Sequence, residues 1–197
     1  MFTQQSFEIF EIVGLEPRMM EIRAEIQPIF REIGEKFLTE LSSQFPEKNF
    51  YQHIAQHRRR TTNAPDATLT AFSENKRGYK MLPHIQLGLC RDYVFVYLGI
   101  IDAPKNREIW ADRLSALTME LPSDFVVSKN HMNSTFFDLT EFTDAVYRLK
   151  TVKKADFELG RIWTSEQFSG QQDETILAEM LLTVKQLAPI YQELMED

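Results

Sequence analysis

The stretch His84-Ile85-Gln86-Leu87-Gly88-Leu89-Cys90-Arg91-Asp92-Tyr93-Val94-Phe95-Val96-Tyr97-Leu98 decides the fold class. Residues 84–89 alternate polar and apolar, the pattern of a strand with one buried face. Residues 93–98 are almost all β-branched, aromatic or aliphatic, so they read as a central strand covered on both faces. Only Arg91 and Asp92 follow Cys90 before the second run begins, and this short connection predicts a hairpin.

Working outward, weaker strand candidates lie at 50–56 and 67–73, with further extended pieces at 124–128 and 155–163. In the last of these Phe157, Leu159 and Trp163 point one way, with Arg161 among them. Helical spacing dominates the two ends of the chain. Met19, Ile22, Ile26, Ile29, Ile33, Phe37 and Leu41 predict a helix within 16–45, kinked or restarted at Pro28. A second helix over 105–120 would carry Ile109, Leu114, Leu117 and Leu121 near one face, between Pro104 and Pro122. A third at 139–149 carries Phe142, Val146 and Leu149. The last, over about 173–195, buries Ile176, Met180, Leu187, Tyr191 and Leu194 and should bend at Pro189. Helix first, strands next and a mixture afterwards is not a regular βαβ alternation. The order predicts one α+β domain over 1–197, with a mainly antiparallel or mixed sheet of about five to six strands packed with N-terminal, middle and C-terminal helices.

Composition narrows the setting. The 197 residues are 43% hydrophobic and 26% charged, the profile of a globular chain. Cys90 is the single cysteine, so no intrachain disulfide forms, and a lone thiol suits a reducing cytoplasm. Residues 1–10 lack a basic segment followed by an apolar one, so no signal peptide is expected. The longest apolar run, Tyr93 to Ile101, is far short of the ~20 residues a membrane helix needs. A cytoplasmic protein without a membrane span is the expectation. The formal net charge of −7 excludes bulk electrostatic attraction to nucleic acid.

The charge is unevenly distributed. Between His57 and Arg91 the cations are Arg58, Arg59, Arg60, Lys76, Arg77, Lys80 and Arg91, against Asp66 and Glu74, a local +5 that leaves −12 for the rest. Arginine forks suit phosphate or carboxylate. In Asn75-Lys76-Arg77-Gly78-Tyr79-Lys80 the glycine allows a ligand to approach closely, and Tyr79 offers a ring to stack on. The plain alternative is a solvated loop whose charges pair with the acidic helices.

Four histidines frame this stretch. His53 and His57 would share a face ~13 Å apart on a strand, too far for one zinc ion, and no metalloprotease glutamate follows His53. His84 opens a strand and His131 lies in the loop Ser128-Lys129-Asn130-His131-Met132; each is an acid/base candidate near neutral pH. Cys90 beside Arg91 reads as a buried thiol before a nucleophile. Lys150, Lys153 and Lys154 close a helix, where cations complement its dipole, and Lys153 and Lys154 would extend an anion site if that end faces the loops. Phosphate-loop, dinucleotide, nucleophile-elbow, paired-cysteine and calcium-loop motifs are absent, so the sequence carries no cofactor or metal reading.

Several of these motifs together resemble the YktB-like family of uncharacterised proteins from low-GC Gram-positive bacteria. They are His53-x-x-x-His57-x-Arg59-Arg60, Asn63-Ala64-Pro65-Asp66, the run from Asn75 through Lys80, Leu82, Pro83, His84 and Gln86 to Gly88, His131-Met132, and Leu149 to Ala155. The resemblance spans nearly the whole chain and implies an intact α+β domain, with no reaction attached.

Two functions fit the residues. One is a binding protein whose basic, histidine-bearing surface of Arg58, Arg59, Arg60, Lys76, Arg77 and Lys80 takes a phosphorylated small molecule or nucleic acid, with His53, His57, Tyr79, Lys153 and Lys154 as neighbours. The other is an enzyme on a small phosphorylated or carboxylated metabolite, with His84 or His131 as acid/base.

Overall fold

In a computed structural model, which describes residues 1–170 and 172–196, the predicted hairpin is present: β3 (His84–Cys90) pairs antiparallel with β4 (Tyr93–Ile100). β1 (Tyr51–Ile54) and β2 (Ala67–Ser73) extend it on one side. β7 (Phe157–Thr164) lies against β4 on the other side, followed by β5 (Val126–Ser128) and β6 (Phe137–Asp138). The result is one seven-stranded sheet in the order β1-β2-β3-β4-β7-β5-β6, antiparallel throughout. The extra strand beyond five to six is β6, whose two residues are too short to show alternation.

The N-terminal helix is a continuous helical run: α2 (Leu15–Glu21), a π turn (Ile22–Ile26) and α3 (Gln27–Gln44), preceded by the short α1 (Gln4–Glu8). Pro28 lies at the start of α3, where its ring would press on the carbonyl of Ala24. The wider π turn immediately before it makes room. α4 (Arg107–Ser115) is shorter than 105–120, and its buried residues are Trp110, Ala111 and Leu114. Ile109, expected inside, is 52% exposed. α5 (Phe142–Thr151) and α6 (Asp173–Met195) follow the expected spans, and α6 runs unbroken through Pro189.

The helices cover one face of the sheet. Phe72, Leu87, Val96, Leu98 and Leu159 meet Phe30, Phe37 and Leu41 of α3 and Met180, Val184 and Leu187 of α6 in one apolar core. Arg161 shares that face, as its alternation with Leu159 and Trp163 predicts. Its Nε bonds Asp124 at 3.1 Å and its guanidinium lies 5.4 Å from the Trp163 ring centre.

Among the described residues the opposite face carries no helix residue in its apolar cluster, which joins Leu69, Ala71, Cys90, Tyr93, Phe95 and Tyr97. Loops cover it instead. All seven residues of β3 are consequently buried, and the half-buried strand expected from its alternation is not what forms. Three strand glycines make this face possible. Gly88 stands opposite Phe95, Gly160 opposite Tyr97, and Gly99 opposite His84. A Cβ on Gly88 would come within 1.9 Å of the Phe95 ring, and one on Gly160 within 2.1 Å of the Val96 carbonyl.

Candidate functional site

The register places a polar row across the loop-covered face. His84, Gly99, Glu158 and Ser128 are successive cross-strand neighbours on β3, β4, β7 and β5. Because Gly99 has no side chain, Gln86 and Glu158 meet across the intervening strand, Gln86 Nε2 donating to Glu158 Oε1 at 2.5 Å. Burial pushes the Glu158 carboxyl above the usual carboxylate range, against hydrogen bonds from Ser128 and Gln86 that favour its charged form.

His84 is fully buried at the edge of this row. Its Nδ1 donates to the Leu82 carbonyl at 2.9 Å, so in the neutral ring Nε2 holds the free lone pair. Burial depresses its pKa to about 4, and the nearby Lys80 charge acts in the same direction. Among the described residues His84 Nε2, Gln86 Oε1 and Tyr97 OH are buried on this face without a hydrogen-bond partner. An unpaired buried polar atom costs about 1–3 kcal/mol, so three on one face need a reason.

Above the row, the loop between β5 and β6 is pinned by His131. Its backbone N–H and ring Nδ1 donate to Asp156 Oδ2 at 3.2 and 2.6 Å. Asp156 Oδ1 accepts from the Asp102 backbone at 2.8 Å. Burial disfavours the charged His131 ring, but Asp156 and Glu158 outweigh it and raise the pKa. Tyr93 OH donates to the Ser134 carbonyl at 2.8 Å, a second tether of the same loop. Between this loop and the sheet, among Tyr93, Tyr97, Ser128, His131 and Glu158, the space is about 10 Å³, room for roughly one water molecule.

Lys80 joins the two basic loops to this floor. Its Nζ bonds Asp102 Oδ2 at 3.0 Å, and it is near enough to His57, His84 and His131 to disfavour their protonation. Arg59 and Lys80 together hold Asp102 below the usual carboxylate range, the Lys80 hydrogen bond leading. Burial lowers His57 to about 4, with Arg60 and Lys80 adding to the effect. Tyr79 lies between two of the histidines, its ring centre 6.1 Å from His53 and 5.0 Å from His84. The backbone here is strained: His57, Asp102 and Ala103 have φ of 50°, 65° and 52°. Such non-glycine residues concentrate at functional sites.

The remaining sequence candidates are distributed more widely. Arg58, Lys76 and Arg77 are exposed, and Arg60 is bound to its own loop at the Asn63 and Ala64 carbonyls, 3.3 Å each. Lys153 and Lys154 are exposed on the turn before β7. His53 donates to the Asn75 carbonyl at 2.9 Å, while His57 bonds Thr68 at 3.1 Å. Arg91 pairs with Glu11 at the other end of β3, ~20 Å from His84. No three His, Cys, Asp or Glu side chains gather to hold a metal among the described residues. The sequence reading missed Gln86, Tyr97, Asp102, Asp156 and Glu158. Its only signal was a polar residue at every second place in β3 and a glutamate between Phe157 and Leu159.

The family model described as Domain of unknown function (DUF1054) matches residues 2–191. The chain belongs to that family. Its relatives include UPF0637 protein YsbB of Lactococcus lactis subsp. lactis (strain IL1403), 56% identical over 198 residues and covering 100% of both chains. A UPF0637 protein of Enterococcus faecalis (strain ATCC 700802 / V583) is 45% identical over 197 residues, covering 98% of this chain and 97% of its own. One from Exiguobacterium sibiricum is 42% identical over 198 residues, covering 98% of each. The family thus occurs in low-GC Gram-positive bacteria, as the central motif implied, and its relatives match the full α+β unit.

Proposed function

We propose that residues 1–197 form one α+β domain of a cytoplasmic binding protein for a small phosphorylated ligand, within the YktB-like part of its family. The phosphate is taken by Lys80 and Arg59 beside Asp102, with Arg58, Arg60, Lys76 and Arg77 on the flanking loops, and the buried row of His84, Gln86 and Tyr97 lies beneath them. One observation carries the reading: Lys80 bonds Asp102 and Arg59 acts on the same carboxylate, so cations from both basic loops come together at one place. The net charge of −7 favours a small molecule over a nucleic acid strand. The cytoplasmic placement rests on the single buried thiol. The described helices include none long and apolar enough to cross a membrane.

A second reading rests on the His131–Asp156 pair. A carboxylate-oriented imidazole is an acid/base, so the same site would convert its phosphorylated ligand.

Calorimetric titration at low salt with inorganic phosphate and a panel of nucleoside and sugar phosphates tests both. Binding weakened on the order of tenfold by Lys80→Gln supports the site. Binding only to oligonucleotides transfers the function to nucleic acid, and no binding at all rejects it. Turnover lost in His131→Gln with affinity kept favours the enzyme.

A further inference from the structure

On the flank of the β5–β6 loop lies a larger cavity of about 330 Å³, lined by Lys129, Asn130, Asn133, Thr135, Phe137, Asp144 and Arg148. Its volume is at the lower end of the ligand-pocket range of about 300–1,000 Å³. The charges around it are equal in number but unevenly paired. Lys129 Nζ is held by Glu141 at 2.6 Å and by Asp144 at 2.5 Å. Asp144 is four residues before Arg148 on α5, the spacing at which a helix would pair them. Lys129 draws that carboxylate away. Among the described residues Arg148 makes no ion pair, and its Nε is enclosed without an acceptor. The wall also offers an aromatic surface: Phe137 is 37% exposed and carries Lys129 Nζ 4.8 Å from its ring centre.

We infer that this cavity is a second binding site, for a small molecule with one carboxylate and a flat apolar body. The carboxylate takes the Arg148 fork, whose planar donors match its two oxygens. The body lies along Phe137, and the Asn130, Asn133 and Thr135 side chains bond the remaining polar atoms. A single negative charge fits better than a phosphate dianion. Lys129 and Arg148 are balanced in number by Glu141 and Asp144, but both acids engage Lys129, so the Arg148 fork is left without an ion pair among the described residues, and Asp144 at the same rim repels a second negative charge. This site does not depend on the phosphate reading of Lys80.

The probes are benzoate and inorganic phosphate, with chloride at matched ionic strength, followed by NMR of the Arg148 Nε–H and Phe137 ring signals in the full chain. Benzoate is expected to give saturable shifts at both, unchanged in Lys80→Gln and weakened at least about tenfold in Arg148→Gln. Arg148→Lys keeps the charge but loses the fork, and is expected to fall between. Should Arg148→Gln fail to fold, Phe137→Ala provides the same comparison, because its ring is on the surface. Absence of saturation with benzoate, an unchanged titration in both Arg148→Gln and Phe137→Ala, or a benzoate response abolished by Lys80→Gln would overturn the assignment.

Discussion

His131 gives both its backbone N–H and its ring Nδ1–H to Asp156, and this one carboxylate ties the β5–β6 loop to the start of β7. The same carboxylate also accepts from Asp102, which Lys80 holds. Asp156 therefore links the loop over the site to the cation beside it.

Replacing Asp156 with asparagine should loosen that link. The carboxylates at Asp156 and Glu158 raise the His131 pKa against the effect of burial, so the variant's ring should titrate lower. In the native protein His131 stabilises the fold fully below its unfolded pKa of about 6.5, and this contribution is lost as pH rises through its raised folded value. Asp156→Asn should remove most of that pH dependence and cost about 2 kcal/mol at acid pH. NMR titration of the His131 ring and urea unfolding at several pH values measure the two effects. An unmoved His131 pKa would show that the pairing is not the cause.

His84 acts in the opposite direction. Its folded pKa is about 4, below the ordinary 6.5. Its contribution is present above pH ~6.5 and is lost as pH falls toward 4, because the unfolded chain binds the proton first. The separation amounts to about 3 kcal/mol for this buried ring. His84→Gln should therefore lose less stability between pH 6.5 and pH 4.5 than the native chain does. Equal losses in the two proteins would disprove the assignment. His57 has the same sign and remains in both proteins.

The glycines opposite the rings make a stability prediction. Gly160→Ala places a Cβ 2.1 Å from the Val96 backbone carbonyl in the middle of the sheet, which no rotamer relieves. We expect a loss of at least about 3 kcal/mol. Gly88→Ala meets only the Phe95 ring, which can shift, and should cost less. Gly78→Ala has open space around it and should change stability by less than about 0.5 kcal/mol. Chemical denaturation ranks the three, and any other order contradicts the packing.

Cys90 is buried and its Sγ donates to the Tyr93 carbonyl at 3.4 Å. Burial pushes its thiol pKa up, so little reactive thiolate exists near neutral pH. A disulfide reagent should label it only as fast as the protein opens, and sub-denaturing urea should accelerate labelling in step with unfolding. Rapid labelling of the native chain would place the thiol at the surface.

How much of this was legible in the chain depends on the distance over which each feature is set. The 84–98 hairpin and the 173–195 helix follow from spacing within a few residues, and both formed where the periodicity put them. The sequence by itself thus determined the order of elements, the α+β class and the central place of β4. It also identified Lys80, His84 and His131 as residues of interest. It could not determine which alternating polar residues meet water. Gln86 and Glu158 are 72 positions apart and bond only because β3, β4 and β7 are registered with Gly99 between them. His131 and Asp156 are 25 positions apart and depend on the loop turning back over the sheet. Alternation records that a strand has two unlike faces, whereas desolvation of the polar face is decided by the loops that later cover it. For the same reason the basic stretch is one unit in the chain and several in space. Strand length carries Arg91 to the far end of β3, while the turn before His84 brings Lys80 over the buried row.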